Sequence, residues 1–178
     1  MRLREITEAD YATLFEIQNN EAAHHQAAFS TLKDREASDA HLNRILALDS
    51  VILLGVEVDG QLVGNIGKWM MGDDAELMYW IGREHEGNGY ATQALALFLD
   101  YYTPRPLCAH VVADNTASIR ILEKHGFIKS EEMNSYADAR GEDLLVALAR
   151  SGQGEFHYTE QPAGLGEVLR ADLARPRQ

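Results

Sequence analysis

Basic residues are scarce in this chain. Its 178 residues carry 16 Lys and Arg against 28 Asp and Glu, a formal net charge of −12. That deficit argues against nonspecific nucleic-acid binding, which needs a basic surface. It suits a cationic partner such as a protonated amine, though plain solubility is the simpler reading. Cysteine is almost absent. Cys108 stands alone, which rules out an intrachain disulfide and a cysteine-based metal site. There is no run of about 20 apolar residues, so no membrane-spanning helix is expected. Met1-Arg2-Leu3-Arg4-Glu5 does not open a signal-peptide pattern. The seven histidines form no H-x-x-x-H pair, and no metal is expected. The phosphate motif G-x-x-x-x-G-K-[ST] is missing, as is G-x-G-x-x-G followed by a ribose-binding acid. Together these absences lead us to expect a cytoplasmic protein with no nucleic-acid or membrane partner.

Hydrophobic residues make up 46% of the chain, ordinary for a globular protein, and the length suits one domain with a full core. The most informative stretch is Glu86-Gly87-Asn88-Gly89-Tyr90-Ala91-Thr92. It follows the apolar, aromatic run Glu76-Leu77-Met78-Tyr79-Trp80-Ile81 and precedes the uncharged helix-forming run from Ala91 to Leu99. Strand, glycine turn and helix is the layout of a phosphate site, because N–H groups at a helix N-terminus bind anions and glycines allow close approach. The same pattern also serves as a plain tight turn. A second stretch runs Asn115-Thr116-Ala117-Ser118-Ile119-Arg120-Ile121-Leu122-Glu123-Lys124-His125-Gly126-Phe127. Asn115 is placed to cap a helix. Ile119, Ile121 and Leu122 form its apolar stripe. Lys124 and His125 complement the dipole in the last turn, and Gly126 fits the left-handed position that stops it.

Together the two segments resemble the GNAT superfamily of acyl-CoA-dependent N-acetyltransferases. Glu86, Gly89 and Ala91 stand at the defined places of its Q/R-x-x-G-x-G/A pyrophosphate loop. Asn115, Ser118, Glu123, Lys124, Gly126 and Phe127 match N-x-x-S-x-x-x-x-E-K-x-G-F, a signature of the branch holding the RimJ- and RimL-type protein N-terminal acetyltransferases. The resemblance covers residues 1–150 and implies an α+β fold, a mixed, mostly antiparallel sheet flanked by helices. It departs from the family at Glu86, where Gln or Arg is usual. A carboxylate facing a pyrophosphate would repel it, so the Glu86 side chain is expected to point to solvent.

The resemblance also implies roles. Acetyl-CoA would be the co-substrate, held along Ile81, Gly82 and Arg83 and by the N–H groups of Gly87, Asn88, Gly89, Tyr90 and Ala91, with Thr92 beside them. Asn115 would bind the pantetheine or cap its helix, and Lys124 and Arg120 would meet the 3′-phosphate or stay solvated. Glu76 takes the place of a glutamate that acts as base in some relatives. Its plain alternative is a solvated carboxylate at a strand end. Ser118 would lie near the thiol as an acid, or cap its helix. Tyr136 lies on a late strand where some branches carry a tyrosine acid, and otherwise is an aromatic on a sheet face. His24 and His25 fall in the region that lines the acceptor site, or are exposed loop residues. Of Trp69, Met70, Met71, Tyr79 and Trp80, alternation sends some, Trp69 among them, to the acceptor groove and the rest to the core. His110, alternating with apolar neighbours, is read as structural, and Cys108 as a buried strand residue.

Along the chain, residues 1–6 read as an edge strand. Thr7 should cap a helix over residues 9–19, with Leu14, Phe15 and Ile17 inward, and Ser38 a helix over residues 39–48. Strands are expected over residues 51–58, 61–70 and 75–82, with Asp59-Gly60 as a hairpin turn. A helix over residues 89–102 should end before Pro104 and Pro106. Then come the strand 107–113, the Asn115 helix, and strands over residues 128–136 and 143–149 turning at Gly141. Ser151-Gly152-Gln153-Gly154 reads as a break before a tail, residues 151–178, that is flexible or packs on the core. The function expected is transfer of an acetyl group to a primary amine, on a small molecule or a peptide, by direct attack in a ternary complex. The protein is expected to be a monomer or homodimer. The rivals are a non-catalytic CoA-binding regulatory module and a binder of some other nucleotide.

Overall fold

The computed structural model of the chain describes residues 1–19, 34–137 and 142–152. It begins with β1 (Arg2–Glu5), which pairs antiparallel with β2 at the sheet edge. Arg4 pins this strand to its neighbours. Its guanidinium donates to both Asp10 carboxylate oxygens at 2.8 Å and to Glu57 Oε2 at 2.6 Å. A 3-10 turn over Glu8–Asp10 leads into α1 (Tyr11–Gln18). The helix is shorter than expected because Asp10 turns back, accepting from the N–H and hydroxyl of Thr7 at 2.8 and 3.0 Å.

The next helix, α2 (Arg35–Leu46), corrects a second expectation. Ser38 is not its cap but a buried residue inside its first turns. Asp34 lies one turn earlier, and its carboxylate accepts from Ala37 N–H at 2.8 Å, so the helix starts sooner. His24 and His25 lie outside the described residues.

β2 (Ile52–Val58), β3 (Gln61–Met71) and β4 (Asp74–Ile81) form an antiparallel meander. Asp59 and Gly60 both take positive φ, 50° and 82°, as the tightest hairpin turn requires. A 3-10 turn (Arg83–His85) and the glycine loop then lead into α3 (Tyr90–Tyr101). β5 (Leu107–Val112), α4 (Thr116–Lys124), β6 (Ile128–Ala137) and β7 (Glu142–Ser151) complete the order. Among the described residues seven strands lie as β1-β2-β3-β4-β5-β7-β6. Ser151 belongs to this sheet and not to a break: it is buried and pairs with Leu107. Gly141 and residues 153–178 lie outside the described residues.

The strand period of two sorts β4 between two cores. Ala75, Leu77, Tyr79 and Ile81 face α3 and α4, packing with Leu95, Phe98 and Leu122. Burying side chains of this size contributes about 1.5–3 kcal/mol each. On the opposite face Met78 packs with Tyr11 and Leu14 of α1 and Leu42 of α2. Glu76 and Trp80 share that second face by alternation.

Candidate active site

β4 and β5 are the parallel pair of the sheet, and they pair only at Ala75–Leu107 and Glu76–Cys108. Beyond that point β4 runs on to Ile81 and β5 to Val112 without bonding each other. A gap therefore opens between their C-terminal ends. Each strand is followed by a helix returning across the sheet, so the N-termini of α3 and α4 stand at this end. Four N–H groups of a helix's first turn have no intrahelical partner, and their partial positive charge favours an anion.

The glycine loop completes that end. Gly87 and Gly89 take φ of 76° and 77°, which a side-chain-bearing residue rarely adopts. A Cβ on Gly87 would meet nothing within 4 Å, and one on Gly89 only Gln93 Nε2 at 3.9 Å. The space above both residues is open. Gly89 is the N-cap of α3 and brings no side chain to its first N–H groups. Asn88 spends its amide inside the loop, donating to the carbonyls of His85 and Glu86 at 3.0 and 3.2 Å. Glu86 is exposed, as its departure from the motif leads one to expect. An open backbone cradle at a helix N-terminus fits a CoA pyrophosphate, which would be held by N–H groups from Gly87 to Thr92. Ile81 and Gly82 form the strand end behind it, where Gly82 N–H donates to Val63 O at 2.8 Å. Arg83 is exposed beside the loop.

At the second helix Asn115 Oδ1 accepts from Ser118 N–H at 3.1 Å. The Ser118 hydroxyl meets the hydroxyl of Tyr79, a residue the sequence placed either in the core or toward the acceptor groove. Burial pushes the Tyr79 phenol up to about 12, against the opposing pull of its Ser118 bond. Tyr79 therefore keeps its proton across the working range. Lys124 and Arg120 are exposed, and among the described residues neither has an ion-pair partner. Lys124 closes α4 at the end away from Asn115.

Glu76 is not the solvated strand-end carboxylate of the plain alternative. It is 1% exposed. Its Oε1 accepts from the backbone N–H of His110 at 2.8 Å and lies 2.9 Å from His110 Nδ1. The carboxylate thus bridges to β5 just where β4 stops pairing with it. Burial acts to lower the His110 pKa, but the hydrogen bond and charge of Glu76, with the charge of Asp74, outweigh it and raise the ring above its ordinary value. Trp69 is the cross-strand partner of Glu76 and shares its face.

One expected residue, Tyr136, is set apart in the strand order. Tyr136 lies on β6, opposite Asp143. β6 is the outermost strand, separated from β4 by β5 and β7. Cys108 is buried. Sequence reading assigned no chemical role to Tyr79 or His110, and no signal pointed to Asn65. It is fully buried on the α1 side, its Oδ1 3.5 Å from Gln18 Nε2 and its Nδ2 without a partner among the described residues. The alternation of β5 did place His110 on the face of Cys108, but its pairing with Glu76 depends on a parallel register across an intervening helix.

Comparison with known proteins adds a family. A family model described as an acetyltransferase (GNAT) domain matches residues 1–128. The chain is 32% identical over 100 residues to the uncharacterized N-acetyltransferase p20 of Bacillus licheniformis, a match covering 52% of this chain and 56% of that protein. It thus spans little more than half the length of this curated relative. Among solved structures, spermidine N-acetyltransferase from Vibrio cholerae in complex with CoA and spermine aligns with a TM-score of 0.75 at 17% identity, over 84% of this chain and 93% of that one. Ribosomal-protein-alanine N-acetyltransferase from Brucella melitensis aligns with a TM-score of 0.73 at 23% identity, over 85% and 99%. At such identities these two likenesses are of fold.

Proposed function

The chain belongs to the acetyltransferase (GNAT) domain family, and from that membership we propose that it is an acetyl-CoA-dependent N-acetyltransferase acting on a primary amine. The observation that carries the proposal is the parting of β4 from β5 beneath two helix N-termini, with the open glycine loop at one and the Tyr79–Ser118 hydroxyl pair at the other. Acetyl-CoA supplies an activated acyl thioester. The N–H groups from Gly87 to Thr92 hold its pyrophosphate, and Asn115 positions the helix that presents Ser118. The Ser118 hydroxyl, accepting from Tyr79, donates toward the sulfur as negative charge develops there. The buried Glu76–His110 pair supplies the proton acceptor that an ammonium substrate needs before it can attack.

Amine and thioester meet directly in a ternary complex, which needs proximity and no covalent enzyme intermediate. Buried Cys108 is not presented as a nucleophile. The net charge of −12 draws a cationic acceptor. The N-x-x-S-x-x-x-x-E-K-x-G-F match favours a peptide N-terminus, while the spermidine-acetylating fold relative makes a polyamine the first competitor.

Two measurements test this. Acetyl-CoA and CoA should raise Tm while ATP does not. A ligand at a hundred times its Kd stabilises the folded state by about 2.7 kcal/mol. Thiol release is then followed with alanine-initiated peptides, spermidine and free amino acids. Absence of any shift at millimolar acetyl-CoA would sink the proposal. A shift without turnover on any amine would favour a non-catalytic CoA-binding module.

A further inference from the structure

Glu76 occupies the place where a family resemblance puts a base, yet its geometry suits another task. At 1% exposed it is more deeply buried than the His110 side chain, at 9%. Both of its contacts with His110 fall on one oxygen, Oε1. A carboxylate only accepts hydrogen bonds, so the ring nitrogen facing it must carry a proton. His110 is then held with hydrogen on Nδ1 and its lone pair on Nε2. The backbone N–H of the same residue donates to the same oxygen, which fixes the ring relative to its own main chain. A buried carboxylate fixing one tautomer of a less buried imidazole is the arrangement that makes the far nitrogen a general base.

We infer that His110 Nε2, oriented by Glu76, takes the proton from the acceptor amine, so that Glu76 is a positioning residue and His110 the catalytic one. This rests on the acetyltransferase reading above. In the step the ammonium N–H bond breaks, its proton passes to Nε2, and the nitrogen keeps the electron pair. That pair forms the new C–N bond as the C–S bond breaks. The sulfur keeps the C–S electrons and takes the Ser118 hydroxyl proton, Ser118 regains one from the second N–H, and the imidazolium later returns the first to water. Glu76 stabilises the imidazolium while it lasts. Besides Glu76, the charged group acting on the ring among the described residues is Asp74 of β4, while Cys108 stands two residues earlier on the same face of β5 by alternation. Across the sheet the register partner is Leu148 of β7, which carries no charge. The two carboxylates raise the pKa of His110 above its ordinary value. The rate should therefore fall on the acid side as the ring becomes protonated, with its midpoint above about 6.5.

The test combines nitrogen-15 NMR of the histidine rings in the full chain with kinetics. Neutral His110 should show hydrogen on Nδ1 and a bare Nε2, titrating above about 6.5, and Glu76→Gln should lower that midpoint. With the amine that turns over fastest in the panel, His110→Gln should lose on the order of 10²-fold in kcat with KM little changed, and lose the acid limb. Glu76→Gln should lose less and move the limb to lower pH. Retention of the acetyl-CoA Tm shift shows that each variant is folded. Hydrogen on Nε2 in the wild type, or a His110→Gln variant near wild-type rate beside an inactive Glu76→Gln, would overturn the role of His110 and leave the acetyltransferase reading standing. No turnover of any amine, with the Nδ1 tautomer present, would remove that reading and the role with it.

Discussion

At the scale of single residues, polar side chains with defined partners carry the chemistry. Tyr79 and Ser118 are the clearest case. A phenol held protonated by burial can donate to Ser118 Oγ, which leaves the serine hydrogen to point at the sulfur. Ser118→Ala should lower kcat by about 10²-fold, the low end for a general acid because a thiolate leaves readily. Tyr79→Phe removes only the orientation, about one net hydrogen bond, and should cost about fivefold. Steady-state thiol release checks both, and equal losses would show that Tyr79 itself is the donor. Asp10 belongs to stability instead. The Arg4 guanidinium first, and the Thr7 bonds after it, hold its carboxyl well below the usual range against the opposing effect of burial. A folded pKa below the unfolded one stabilises above the unfolded value of about 3.9, and the gain is lost as pH falls below it. Asp10→Asn should lower Tm at pH 7 by on the order of 5 °C and narrow the gap to wild type near pH 3. Thermal melts at both pH values decide it. Ser118 and Glu76 stood out in the sequence because a motif and a strand position marked them. Tyr79 and His110 did not, since a tyrosine or histidine among apolar neighbours reads as packing until its partner is known.

At the scale of elements, caps and turns decide where the site forms. α3 starts at a glycine in the left-handed conformation and α4 at an asparagine whose side chain closes the first turn. Gly89→Ala forces a Cβ into positive φ and should cost about 1 kcal/mol. It should also shrink the acetyl-CoA Tm shift, since strain relaxes by moving the N–H groups that would hold the pyrophosphate. An unchanged shift in a differential scanning titration would argue against that loop as the anion site. The stop of α4 was legible to the residue. Gly126 takes φ of 81°, and Phe127 N–H reaches back to Leu122 O at 3.1 Å, as a glycine-terminated helix requires. The start of α2 was not, because Asp34 and Ser38 are both good caps one turn apart, and local chemistry does not choose between them.

At the scale of the whole molecule, charge and topology dominate. If the net charge of −12 gathers a cationic acceptor, raising ionic strength from about 0.01 to 0.15 M shortens the screening length from about 30 to 8 Å. The KM for spermidine should then rise several-fold with kcat little changed, and a salt-independent KM would exclude steering. The sequence by itself determined the element order, the hairpin at Asp59-Gly60, the glycine loop and the capped α4, because turn chemistry and strand or helix periodicity act over a few residues. Tertiary structure alone decided that β4 and β5 pair at only two positions and then part, that Glu76 is buried against His110, and that Tyr79 reaches Ser118. Those contacts join residues 34 and 39 positions apart. Their geometry arises from how two strands and two helices pack into one sheet, a long-range balance of burial and hydrogen bonding that no local pattern encodes.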